Sequence, residues 1–186
     1  MKKLISLILA LALVPAAIPV LAEETETDNV YQNVLEWGPT AAQIEAAGIQ
    51  GTYYTLNGVH VAFWVPEYLT PKDPEGTYEE TGMLAAFSSE SGDMGFIISL
   101  FDMPAESMDQ YAEEVDKAGA EEGRRRLING LDTYTYVYDG TMIAAILVKG
   151  GGVLVFSFYT ATDERFFKDA SIIAASIQPY DPPQEE

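Results

Sequence analysis

The chain has 186 residues, 29 acidic and 10 basic side chains, a formal charge of −19, one histidine and no cysteine. Such a field repels nucleic-acid phosphates and anionic lipid headgroups, so nucleic acid is excluded as a partner; cationic partners, loosely held Ca²⁺ or plain colloidal stability are compatible with it. Without cysteine there is neither a disulfide nor a lipidated anchor, and a lone histidine rules out a multi-histidine metal site.

Lys2-Lys3, the apolar run Leu4 to Val14, the helix breaker Pro15 and the triplet Val20-Leu21-Ala22 together form the pattern of a secretory signal. The uncharged stretch 4–22 is 19 residues, near the ~20 that a spanning helix needs, but Pro15 and Pro19 interrupt it. The expectation is therefore a signal peptide over 1–22, cleavage after Ala22, and a secreted or extracytoplasmic (cell-envelope) protein with no membrane span after cleavage. Loss of Lys2 and Lys3 leaves 8 basic against 29 acidic residues, −21, in the mature chain. Residues 23–49 read as a leader and short N-terminal helix, 50–180 as a single domain, and 181–186 as an acidic tail.

Within 23–49, Pro39 to Ala47 has a helical start at Pro39 and a C-terminal stop at Gly48. Asn57-Gly58 then joins Thr52 to Leu56 and Val59 to Val65 as the two-residue type I′ turn of a hairpin. That hairpin puts Tyr54, Leu56, Val59, Val61, Phe63 and Val65 on one face and Tyr53, Thr55, His60, Ala62 and Trp64 on the other. A Pro-rich loop spans 66–76. Strands follow at Met83 to Ser88 and Gly95 to Phe101, around a Glu90-Ser91-Gly92-Asp93 turn. Ser107 and Gln110 form a capping box, and Met108, Tyr111, Ala112, Val115 and Ala118 keep helical spacing, so a helix is predicted over about 107–119. Four more strands are expected at Arg124 to Ile128, Leu131 to Tyr138, Met142 to Lys149 and Val153 to Tyr159, with Asn129-Gly130, Asp139-Gly140 and Gly150-Gly151-Gly152 between them. A last helix opens at Thr162 and presents Phe166, Ala170, Ile173 and Ile177 on one face. Adjacent hairpins give an antiparallel sheet covered by helices, an α+β fold.

The order of elements carries a resemblance. A Gly-Thr-Tyr-Tyr strand leads to an extended strand ending Phe63-Trp64-Val65-Pro66. A Ser-capped helix, the Ile128-Asn129-Gly130-Leu131 hairpin with its aromatic continuation, and a helix closing on Ser176-Ile177 follow. This order, over roughly 50–180, resembles the PsbP-like superfamily, including its bacterial exported LpqN/DcrB-type relatives and secreted Firmicutes proteins. The resemblance implies an α/β/α sandwich and a scaffolding or binding role, and it supplies no shared active site. The lipoprotein members' anchoring cysteine is absent here.

The motifs that carry chemistry are sparse. His60 would have to be the base of any nucleophilic triad. Paired carboxylates serve glycosidases, but among 29 acids any spacing can be found. Glu113, Glu114, Asp116, Glu121 and Glu122 form an acidic cluster without an EF-hand loop. Arg124-Arg125-Arg126 is the one basic cluster, split by strand alternation. No dinucleotide or phosphate-loop pattern occurs. The residues that point to binding are aromatic: Tyr53 with Trp64 on the outer face of the first hairpin, and the alternating stripe Tyr134, Tyr136 and Tyr138. Such side chains either stand open and stack on a sugar, peptide or protein, or lie half-buried beneath a helix. The functional expectation is an exported, non-catalytic binding or accessory module for a protein, peptide or envelope ligand, without cofactor or metal. The alternative is a secreted carboxylate-dependent hydrolase.

Overall fold

A computed structural model describes residues 33–72, 82–102, 107–148, 152–159 and 164–182, all within one compact unit, Tyr31–Glu186. The export segment 1–22, the leader 23–28, most of the 66–76 loop beyond Lys72, Gly150-Gly151, Thr162 and the tail past residue 182 lie outside the described residues.

The described residues form two sheets and three α-helices. The strands are β1 Asn33–Leu35, β2 Gly51–Leu56, β3 Val61–Pro66, β4 Thr70–Lys72, β5 Met83–Ser88, β6 Gly95–Phe101, β7 Glu121–Ile128, β8 Leu131–Tyr138, β9 Thr141–Leu147, β10 Val153–Tyr159 and β11 Gln178–Pro179. The helices are α1 Trp37–Ala46, α2 Met108–Lys117 and α3 Glu164–Ser176. Eight strands form one sheet in the order β1-β7-β8-β9-β10-β6-β5-β4, and β11-β3-β2 form a second. All neighbours are antiparallel except β1, which runs parallel to β7.

Alternation along the central strands builds two cores. Phe96, Ile98, Leu154, Phe156, Phe158, Ala144 and Ile146 face Phe63 and Val65 of the small sheet and Phe166, Ala170, Ile173 and Ile177 of α3. The opposite face carries Tyr134, Tyr136, Ile143, Ala145, Val153 and Val155, covered by Met108 and Tyr111 of α2. The large sheet therefore lies between helical layers, as an α/β/α sandwich requires. A third cluster, Trp37, Ile44 and Trp64, with Ile172 against it, fixes α1 to the outer face of the small sheet.

Local chemistry sets the joints. Asn129-Gly130 (φ 48° and 81°) and Asp139-Gly140 (φ 48° and 71°) have the paired positive φ of type I′ hairpins. Asn57-Gly58 does not. Asn57–Val59 is a 3₁₀ turn, His60 takes the left-handed conformation at φ 55°, and Leu56 pairs with Val61. The expected type I′ turn is thus a four-residue connection, and the register moves by two residues. A shift of two returns every side chain to its original face, so Phe63 is in the core as expected, while His60 leaves the strand.

Three short elements were not expected: β1, β4 (inside the predicted Pro-rich loop) and β11. The N-terminal helix begins at Trp37 rather than Pro39, because Trp37 N–H donates to Asn129 Oδ1 at 2.6 Å. The Asn129 amide also donates to the carbonyls of Ala175 (2.9 Å) and Ile177 (2.7 Å). One side chain at a hairpin tip thereby holds the start of α1 and the end of α3. In α2, Ser107 Oγ accepts the Gln110 N–H at 3.2 Å as predicted, and Gly119, at φ 102°, follows its end.

Candidate functional site

The aromatic residues singled out from the sequence divide by burial. Trp64 is 7 % exposed, beneath α1, with its ring 6.1 Å from that of Trp37. Its strand neighbour Tyr53 is 49 % exposed. The Tyr53 ring meets Trp37 edge-on at 6.3 Å, and its hydroxyl accepts the Trp37 Nε1–H. The pair therefore does not form one open platform: Trp64 is packing, and Tyr53 is an exposed ring held from one side.

The stripe on β8 divides in the same way. Tyr134 and Tyr136 are 6 % and 7 % exposed beneath α2, whereas Tyr138, beyond the helix, is 46 % exposed. The Tyr136 hydroxyl shares a 2.8 Å hydrogen bond with that of Tyr111, and Tyr134 donates to Asp116 at 2.7 Å. Gly123 on the adjacent strand leaves room for the Tyr134 hydroxyl, which a Cβ at that position would strike. Burial raises the pKa of Tyr111, with the bond to Tyr136 adding to the effect. Burial likewise raises Tyr134, assisted by Asp116, and raises Tyr136 against the opposing bond from Tyr111. All three phenols stay neutral at physiological pH and act as hydrogen-bonding ties between sheet and helix.

Arg125 and Arg126 are engaged structurally. Arg125, on the α2 face, donates through Nε to Asp132 at 2.7 Å and also pairs with Asp109 of α2. Its pKa is raised, first by the Asp132 hydrogen bond. Arg126 points to the other face and donates to Thr135 Oγ1 at 2.9 Å; burial and neighbouring Arg124 lower its pKa. The basic triplet is split as strand alternation predicts. His60 is exposed, and its main chain closes the turn to Asn57. Tyr68 donates to Asp169 of α3 at 2.6 Å, and burial raises the Asp169 carboxyl against the lowering effect of that bond. Among the described residues no group of three or more His, Cys, Asp or Glu side chains is placed to hold a metal ion, and no helix is long and apolar enough to cross a membrane.

Sequence reasoning passed over the edge of the small sheet. β2 is its outermost strand, and Tyr53 lies at its middle. The Gly-Thr-Tyr-Tyr pattern marked a strand, but only the pairing partners reveal that, among the described residues, one side of it has no neighbouring strand.

No family model matches the chain, and no curated protein sequence matches it significantly. Among the solved structures that match is the solution structure of cyanobacterial PsbP (CyanoP) from Synechocystis sp. PCC 6803. It shares 18% identity, covers 71% of this chain and 94% of its own, and superposes with a TM-score of 0.49. The chain is similar in fold to a PsbP protein. At this identity and TM-score the likeness assigns no role to any residue. The α+β class itself stands on the sheets and helices described above.

Proposed function

We propose that the chain is an exported, non-catalytic module that binds a protein or peptide ligand outside the cytoplasm, with Tyr53 at the centre of the contact. The signal-like segment Lys2 to Ala22 supports export. The observation that carries the binding reading is Tyr53 itself, half-exposed yet fixed by the Trp37 ring and indole N–H. A tyrosine already ordered in the free protein gives contact area at little further entropic cost, which is why such residues dominate recognition surfaces. Tyr138 is the only other residue of the predicted set with comparable exposure, and it sits at a hairpin end.

A photo-crosslinking amino acid placed at position 53, and separately at 138, tests this in the producing cell. The expected result is a discrete adduct from position 53 in protein recovered outside the cytoplasm. Adducts from 138 alone would move the contact away from Tyr53. An absence of adducts at both positions, or a protein retained inside the cell, would overturn the reading.

A further inference from the structure

The outer margin of β2 differs from every other sheet edge described. β1 and β4 are three residues long, and β4 carries Pro71 and Lys72; β11 is two residues and ends in Pro179. Short length, proline and lysine are the devices by which proteins keep edges from pairing with foreign strands. β2 has none of them: Gly-Thr-Tyr-Tyr-Thr-Leu is six residues without charge or proline, and most of it is exposed.

The direction of its free main-chain groups follows from β3. Trp64 N–H donates to Ser176 Oγ at 2.8 Å, and the His60 carbonyl accepts Tyr180 N–H at 2.9 Å, so even-numbered residues there turn toward α3 and β11. Odd-numbered ones turn toward β2, as the Glu67 N–H to Gln50 carbonyl bond at 3.0 Å shows. With Tyr54 opposite Phe63, residues 52, 54 and 56 bond to β3. Gly51, Tyr53 and Thr55 aim their N–H and C=O groups outward, and among the described residues no main-chain group meets them.

The segment that carries this edge is acidic in sequence, with Lys72 as its first cation. From residue 34 to 71 the chain has Glu36, Glu45 and Glu67 and neither Lys nor Arg. All three are exposed, and Glu67 stands beside the start of β2, its N–H bonded to the Gln50 carbonyl. A second copy would bring the same acids together under a net charge of −19 on each chain. A cationic strand meets the opposite field.

We propose that β2 receives an extended, Lys- or Arg-bearing peptide segment as an added strand, held by the main chain of Gly51, Tyr53 and Thr55 and packed on the Tyr53 ring. This rests on Tyr53 being the contact and names what lies there.

The probe is a short synthetic peptide in which Lys alternates with Val, followed by fluorescence anisotropy at low and moderate salt. Two further peptides accompany it: the same sequence with Glu for Lys, and the Lys peptide N-methylated at every central amide, so that neither of its edges can donate. The protein variant is Thr55→Pro, whose missing N–H is one that points outward and so leaves the β3 ladder intact. The Lys peptide should bind more weakly as salt rises. The Glu peptide, the N-methylated peptide and Thr55→Pro should each weaken binding at least about tenfold. The N-methylated arm uses the parent protein, so it decides the matter even if Thr55→Pro does not fold. Equal binding of the N-methylated peptide would reduce the interaction to charge alone and overturn strand addition. No binding of the Lys peptide would also overturn it, and a dimer dissolved by Thr55→Pro would make a second copy the occupant. A position-53 adduct that persists in Thr55→Pro would retain Tyr53 as the contact while removing the added strand.

Discussion

Phe63 tests the packing on which both sheets depend. It is fully buried, with ring centroids at 5.4 Å to Phe156, 5.7 Å to Phe87 and 6.1 Å to both Phe96 and Tyr54. These partners come from β10, β5, β6 and β2, so the ring is the point at which the small sheet keys into the large one. Phe63→Ala removes the ring and leaves a cavity among aromatic walls that are themselves held by strands and cannot close over it. Burial and cavity terms together give a cost of about 3–5 kcal/mol. For a unit of this size each kcal/mol lowers the melting temperature by roughly 2–4 °C, so a fall of about 6–20 °C is expected. Circular dichroism melts of parent and variant at matched concentration measure it, with Tyr53→Ala as the exposed control from the same hairpin. A Phe63→Ala protein that melts within a couple of degrees of the parent would show the inward face of β3 to be wrongly assigned.

Three further outcomes are expected. Asn129→Gly keeps the positive φ but removes three hydrogen bonds, so chemical denaturation should show a loss of roughly 2–4 kcal/mol, with early fraying of α1 by hydrogen exchange. Asp169 has a raised pKa in the fold, so its carboxyl contributes stability below the ordinary carboxylate range and loses that contribution as pH rises through the folded value. Asp169→Asn should therefore melt at or above the parent at neutral pH, with the gap closing on acidification; a gap that widens toward acid would contradict the assignment. N-terminal sequencing of protein collected outside the cytoplasm should begin at Glu23, and a start at Met1 would refute cleavage.

What the sequence made legible follows from the range over which each signal acts. The α2 cap at Ser107, the Asn129-Gly130 and Asp139-Gly140 turns, and the buried face of α3 depend on neighbours a few residues away, and each is present as read. Asn57-Gly58 has the same turn chemistry but adopts another turn. There the His60 carbonyl is bonded to Tyr180 and Phe63 is stacked against Tyr54, so distant contacts set the register. β1, β4 and β11, at two or three residues, are too short to show an alternation. The start of α1 is fixed by Asn129, which no local pattern reveals. The aromatic set was visible, but its division was not. Tyr134 and Tyr136 lie under α2 and Tyr138 just past it, a difference made by where a helix from elsewhere in the chain comes to rest.

The partners of Asn129 also bear on the order in which the chain is able to fold. Trp37 and Asn129 are 92 residues apart, and Trp64 and Ser176 are 112 apart. β1 has no neighbour until β7 exists, and β3 keeps one side bare until β11 arrives. Each of these closures spends loop entropy before any contact rewards it, which makes them late and slow events. The first hairpin alone is two strands with an apolar face and no support, a unit of marginal stability in water. A chain emerging N-terminus first therefore lacks the contacts that seat α1 and close the small sheet until α3 and β11 have followed.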